Sequence, residues 1–254
     1  MSEISIKNLK NSIGKDVQIN GWVYNIRSIG KIWFVIVRDG TGYVQCVVTK
    51  NDVSDKVFKL ENSLTQESSL KIKGTVQADT RSDSGVEILV TDIDEVHIAD
   101  EYPISLKEHG VSFLMDNRHL WLRSKKQFAI MKIRHQLIRS IRNFFDDRDF
   151  ILVDSPIFTA NAVEGTTTLF ETDYFNRSAY LSQSGQLYQE AGAIAFGKTY
   201  CFGPVFRAEK SKTRKHLTEF WMVEPEMAYC DINQNMDIIE AVSYTHLTLP
   251  TTSP

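Results

Sequence analysis

Apolar and polar residues alternate with a period of two through most of the first hundred positions. The runs VQINGWVYNI, KIWFVIVRD, YVQCVVT, SLKIKGTVQA and VEILVTDIDEVHIA each read as a strand with one buried face. Turn signals separate them, notably Asp39-Gly40-Thr41-Gly42 and Ser82-Asp83-Ser84-Gly85. Short strands at this spacing predict a small Greek-key barrel, with the polar segment Lys56–Ser69 as a helix plugging one end. Trp33 and Phe34 are neighbours on one of these strands, so only one of them can face the interior.

Near residue 100 the period changes. Residues 101–123 read as a connector, and Ser124-Lys-Lys-Gln127 then has the form of a helix capping box. Phe128, Met131, Leu137, Ile138, Ile141, Phe144 and Phe145 recur at helical intervals until FFDDRD stops the helix. FILVDSPIF follows as a strand running into Pro156. Further on, PVFRAE and HLTEFWMVEPEMAY are strands joined by the polar loop KSKTRK, an antiparallel hairpin. Strands first, then helices mixed with antiparallel strands, predict an α+β protein.

Composition narrows the picture only slightly. With 42% hydrophobic and 24% charged residues the chain is an ordinary globular one. Residues 1–100 carry 12 Lys+Arg against 14 Asp+Glu and residues 101–254 carry 17 against 18, so any nucleic acid must be met by local patches. Cys46, Cys201 and Cys230 lack metal-ligand spacing, which predicts buried, reduced thiols and a cytoplasmic setting. No stretch approaches the roughly 20 apolar residues of a membrane helix, and the start MSEISIKNLKNSIGK has no signal core.

The hairpin carries the chemistry. From Arg207 to Lys215 five cations face one acid, Glu209, with His216 next, so the loop can gather around phosphate oxygens. Phe220, at the start of the return strand, can stack on a purine. FRAE, a loop, HLTEF and EPEM resemble the second signature motif of class II aminoacyl-tRNA synthetases, and the helix plus FILVDSPIF resembles their first. Together with RDGTGYVQCVV, LMDNRHLWLRS, VEGTTTLFETDYF and YLSQSGQLYQEAG, the chain from about residue 4 to 242 resembles bacterial-type asparaginyl-tRNA synthetases, of the subgroup that also holds the aspartyl and lysyl enzymes.

That resemblance implies an N-terminal OB-fold barrel reading the anticodon (1–102), a connector (103–123) and the first part of a class II catalytic domain (124–242), an antiparallel sheet flanked by helices. It implies ATP and Mg²⁺, asparagine and tRNA(Asn) as substrates and partners, and a homodimer formed through about 124–156. ATP falls to Arg207, Glu209, Arg214, His216 and Phe220, with Arg207 bridging the α-phosphate and the substrate carboxylate and acting as the catalytic residue. The amino acid falls to Glu164, Ser184, Gln186, Gln189 and Glu224, and the central anticodon uridine to Arg27, Phe34 and Gln45. No protein metal ligand is assigned.

Asparagine and aspartate have nearly the same shape, so a pocket separates them by charge and by the sense of its hydrogen bonds. Gln189 stands where the aspartyl relatives carry Lys, and Glu224 replaces their Asp. A carboxylate facing a carboxylate substrate costs enough for roughly 10²–10³-fold discrimination. The alternatives are an aspartyl or non-discriminating enzyme, or a non-catalytic tRNA-binding paralogue. The third class II motif, with its second ATP-binding Arg, has no counterpart here, and SYTHLTLPTTSP (243–254) reads as a non-native tail without helical continuity. On this reading the chain is an inactive fragment.

Overall fold

The computed structural model describes residues 2–82, 84–160, 169–210, 213 and 216–247. The chain divides into two compact units, Met1–Trp121 and Leu122–Pro254.

In the first unit the period-two pattern becomes six strands: β1 (Ser2–Glu3), β2 (Asp16–Ile29), β3 (Ile32–Arg38), β4 (Tyr43–Thr49), β5 (Ser69–Ala78) and β6 (Val86–His97). β2, β3 and β4 form an antiparallel meander, β6 joins β4 in parallel, β5 pairs with β6, and β5 returns to β2. The five longer strands therefore close into a barrel with the strand order of an OB fold, leaving no free edge between them. Each strand sends alternate residues inward. Trp33, Val35 and Val37 on β3 and Val44, Cys46 and Val48 on β4 are fully buried, while Phe34 and Gln45 point outward. Two glycines permit the tightest strand approaches. A Cβ at Gly74 would lie 2.2 Å from the Leu89 carbonyl oxygen, and one at Gly21 would lie 2.6 Å from that of Arg38.

The helix expected over 56–69 is shorter. α1 (Asp55–Phe58) is capped by Ser54 and passes into a single 3₁₀ turn at Lys59–Asn62. Val57 and Leu64 close the core, and the chain then turns at Glu67, with φ of 69°, to start β5. The buried Glu67 carboxylate pairs with Arg38, whose guanidinium also lies over Trp22. Two short helices, α2 (Val111–Asp116) and α3 (Arg118–Trp121), occupy the segment read as a connector.

In the second unit, α4 (Lys125–Asp146) begins at Ser124, whose hydroxyl accepts from the Gln127 N–H at 3.3 Å. The long strand expected over FILVDSPIF is broken. β7 (Ile151–Leu152) runs parallel to β11 (Lys198–Phe206) for two residues, and the chain leaves the sheet at Asp154–Pro156, where proline has no N–H to give a ladder. It re-enters as β8 (Phe158–Thr159), in a separate sheet with β9 (Glu171–Tyr174) and β10 (Arg177–Leu181). α5 (Gln186–Phe196) ends at Gly197, whose φ of 83° suits glycine. β11 (Lys198–Phe206) and β12 (Glu219–Met227) form the predicted hairpin.

Phe144 and Phe145 of α4 pack with Phe150, Tyr200 and Phe202 on one face of this hairpin, joined by Ile238, Ala241 and Val242 of α6 (Ile232–Leu247). Phe145 stacks on Tyr200 with ring centroids 4.9 Å apart, and the Tyr200 hydroxyl donates to Asp146 at 2.9 Å. α5 lies on the other face, where the Thr199 hydroxyl donates to the Gln189 carbonyl. α6 runs five residues past Val242, so helical continuity extends into the segment read as a tail. Among the described residues no helix is long and apolar enough to cross a membrane.

Candidate active site and nucleic-acid interface

Hairpin register decides which side chains share the face covered by α5. Cys201 sits opposite Glu224 and Val205 opposite Phe220. Phe220 and Glu224, four residues apart on one strand, lie about 13 Å from each other on that face. The ladder continues past Phe206 through the Arg207 N–H, which donates to the Thr218 carbonyl at 2.9 Å. Arg207 is exposed, and its guanidinium lies 5.4 Å from the centre of the Phe220 ring. Glu209 and His216 flank the loop on the surface, His216 bonded to the Thr213 hydroxyl. Arg214 in that loop lies outside the described residues, as does Glu164.

Glu224 is the most tightly held of the expected residues. The Ser184 hydroxyl donates to Oε1, and the Gly185 N–H (2.9 Å) and the Cys201 thiol (3.4 Å) converge on Oε2. Three donors thus converge on this one carboxylate. They fill Oε2 and leave Oε1 with room for one more donor. Gly185 is required for this approach: a Cβ there would lie 2.5 Å from both Cys201 Sγ and Ser155 Oγ. Ser184 also accepts from the Gln186 N–H at 3.0 Å, and the Gln186 amide donates to Glu190. Burial, reinforced by the Glu224 charge, pushes the Cys201 thiol up to about 12. A cavity of about 270 Å³ opens beside these groups, bounded by Ser155, Gly185, Cys201, Gly203 and Glu224, with Arg142 at its far wall.

Ser184, Gln186 and Glu224 are thus brought together, with Arg207 and Phe220 further along the same hairpin. Gln189 is placed differently. It is fully buried, and its amide nitrogen donates to the Val153 carbonyl at 2.7 Å where β7 leaves the sheet. Gly185 and Cys201 were not among the expected residues. Counting the hairpin register back from its loop would have put Cys201 opposite Glu224.

On the barrel, Arg27, Phe34 and Gln45 occupy adjacent strands and all point outward. The Arg27 guanidinium lies 4.7 Å above the Phe34 ring and donates through Nη2 to Gln45 Oε1 at 2.8 Å. The Gln45 amide nitrogen donates to Glu87 Oε2 at 3.2 Å, across the parallel pairing of β4 with β6. Glu87 was also not foreseen, although its outward place in SGVEILV follows from alternation. Among the described residues no group of three or more His, Cys, Asp or Glu is placed to hold a metal ion.

Comparison with known proteins finds a match for each of the two units. Residues 110–248 match the family of class II tRNA synthetases (D, K and N), and residues 17–96 match the OB-fold nucleic acid binding domain. The asparagine–tRNA ligase of Pelotomaculum thermopropionicum is 57% identical over 245 residues, 96% of this chain and 57% of that protein. That of Sorangium cellulosum is 56% identical over 238 residues, 93% of this chain and 53% of the relative. The chain thus spans about half the length of the curated relatives it matches. The crystal structure of asparaginyl-tRNA synthetase from Pyrococcus horikoshii complexed with asparaginyl-adenylate matches with a TM-score of 0.86 at 41% identity, covering 91% of this chain and 54% of that one. The Entamoeba histolytica asparaginyl-tRNA synthetase in complex with asparaginyl-adenylate gives 0.78 at 29% identity, covering 92% and 56%.

Proposed function

This chain belongs to the class II tRNA synthetases, in the asparaginyl family, and on that premise we propose that it carries the anticodon-reading and amino-acid-selecting parts of an asparagine–tRNA ligase. The observation that carries the reading is the fixed Glu224 carboxylate, whose free acceptor site on Oε1 suits the amide N–H of an asparagine side chain and repels an aspartate. The activity is a two-step one. The asparagine carboxylate attacks the α-phosphorus of ATP, forming the adenylate and releasing pyrophosphate. A ribose hydroxyl at the tRNA end then attacks the acyl carbon and releases AMP.

Neither step needs a protein nucleophile, so the chain's contribution is alignment and charge. Arg207 neutralises the charge that builds on the α-phosphate, and Phe220 offers an apolar face to the adenine once the guanidinium above it turns to the phosphates. The separation between Phe220 and Glu224 fits a nucleotide and an amino acid joined end to end. Glu209, Arg214 and His216 belong to the nucleotide, and Glu164, Ser184 and Gln186 to the amino acid, while the buried Gln189 supports the site from behind through the Val153 carbonyl. The described residues form no cluster of acidic or imidazole ligands for Mg²⁺; Mg²⁺ held by the triphosphate would add to the charge neutralisation that Arg207 and the loop supply.

Binding of a non-hydrolysable asparaginyl-adenylate analogue, measured by calorimetry beside its aspartyl counterpart, tests the selection without requiring turnover. The chain should prefer the asparaginyl form by roughly 10²–10³-fold. Glu224→Gln should remove most of that preference, and Arg207→Ala should weaken both analogues alike. Equal binding of the two by the unaltered chain would overturn the assignment. Exposed Ile130, Met131 and Ile133 on α4 support a homodimer through 124–156. Ile133→Lys should then turn a dimer into a monomer in sedimentation, and a monomeric unaltered chain would refute it.

A further inference from the structure

Glu224 takes its three donors from two different supports. Ser184 and Gly185 are neighbours in the turn that starts α5, so two of the donors move together with that turn. Cys201 is the third, and it belongs to the sheet. It stands opposite Glu224 across the hairpin of β11 and β12, with Sγ 3.4 Å from Oε2. Of the three, it is the donor that ties the carboxylate to its own hairpin.

The sulfur keeps its proton. Burial, and then the Glu224 charge, hold the Cys201 thiol far above its ordinary range, so the contact is an S–H donating to a carboxylate oxygen. Sγ also fills the gap between hairpin and turn, since a Cβ at Gly185 would lie 2.5 Å from it. With the Gly185 N–H and the thiol both on Oε2, that oxygen is full, and the carboxylate cannot rotate without losing a donor. Oε1 is thereby kept as the oxygen that meets the substrate.

Rotation harms one substrate more than the other. An asparagine amide gains from Oε1 only while that oxygen points at it, because a hydrogen bond weakens steeply as its angle bends. Repulsion of an aspartate depends on charge and distance, which a small rotation leaves nearly in place. Loss of the Cys201 donor therefore costs the correct amino acid and spares the wrong one.

We infer that Cys201 is a specificity-determining positioning residue, whose S–H holds Glu224 turned so that Oε1 faces the side-chain amide of asparagine. This rests on Glu224 being the selector of the amino-acid site. Ser184 and Gly185 bring the carboxylate to the pocket, and Cys201 sets its angle.

The test uses the full 254-residue chain and the non-hydrolysable asparaginyl- and aspartyl-adenylate analogues, with affinities read by calorimetry. Cys201→Ala should weaken the asparaginyl analogue by about tenfold and leave the aspartyl one nearly unchanged. Glu224→Gln should lower the preference from the other side, by admitting the aspartyl analogue. Cys201→Ser restores a donor, shorter in reach but stronger, and should recover most of the preference. The infrared S–H stretching band of Cys201, assigned by subtracting the spectrum of Cys201→Ser, should move to higher frequency in Glu224→Gln, where a neutral amide replaces the carboxylate.

An unchanged preference in Cys201→Ala overturns the inference. A serine variant that behaves like the alanine one would make the sulfur a filler, and equal losses for both analogues with a lowered urea midpoint would make it structural; either result also overturns it. So does an S–H band indifferent to Glu224→Gln. Absence of any preference in the unaltered chain would instead refute Glu224 as the selector, and the role of Cys201 would fall with it.

Discussion

The two units build their sites in opposite ways. In the barrel, one row of outward side chains across β2, β3, β4 and β6 makes the site, on strands whose other faces enclose a core of twenty buried residues. In the second unit the site is gathered from segments far apart in sequence: the turn after β7, the residues before α5, and both strands of a hairpin. Among the described residues, the hydrophobic cluster of that unit has five buried members. A site on a closed barrel is fixed by strand alternation, whereas one assembled at a strand's departure point depends on individual hydrogen bonds. Mutations should therefore separate stability from recognition cleanly in the first unit and poorly in the second.

The sharpest test of that contrast is the neighbouring pair Trp33 and Phe34. Trp33→Ala empties a fully buried site and should destabilise the barrel by about 3–5 kcal/mol, read as a shift in its urea midpoint. Phe34→Ala should leave that midpoint nearly in place while removing about 1–3 kcal/mol of RNA binding. Comparable unfolding by both would break the claim that face and core are independent. In the second unit, Tyr200→Phe removes a hydrogen bond to Asp146 and should cost about 1.5–3 kcal/mol, with adenylate-analogue binding weakening alongside, since Tyr200 neighbours Cys201 on β11.

Chemistry at Cys201 gives a subtler comparison. With its thiol pushed up to about 12, Cys201 stays in the unreactive thiol form at pH 8. Iodoacetamide should modify the half-exposed Cys230 first, and Cys201 should react only as pH climbs or the site opens; rapid labelling of Cys201 in the folded chain would contradict the packing around Glu224. The smallest effect is expected at Glu226, whose pKa is raised by burial and then by Glu190. The folded state holds this proton longer than the unfolded state. Its stabilising share is therefore full below the ordinary glutamate range and is lost as pH rises through that range and just above it. Glu226→Gln should flatten that slope by about a few tenths of a kcal/mol, since solvent screens the site.

Much of the first unit was legible because burial of one strand face enforces a period of two: YVQCVVT and SLKIKGTVQA coincide with β4 and β5 to the residue. The start of α4 was equally plain from Ser124. What local pattern does not contain is where a strand lets go. FILVDSPIF carries enough apolar residues for a long strand, yet Pro156 and the crossing to a second sheet cut it to two residues. That departure point frees the Val153 carbonyl that holds Gln189. The separate sheet of β8, β9 and β10 was not read, because its strands are short and mostly exposed. At the sites, Glu224 and Phe34 were visible from the family resemblance, but their partners Cys201, Gly185 and Glu87 needed the register.

The position of β6 between β4 and β5 has a temporal consequence. The last barrel strand to be made is an inner one, so a growing chain that has reached Ala78 can pair β5 with β2 but leaves β4 and β5 each with one bare edge. Until His97 has emerged, neither edge can be covered from within the unit. Closure is then one late, long-range step whose loop entropy falls due all at once. During synthesis the outward face of Arg27, Phe34 and Gln45 would thus be completed abruptly rather than strand by strand, because Glu87 arrives on the strand that seals the barrel.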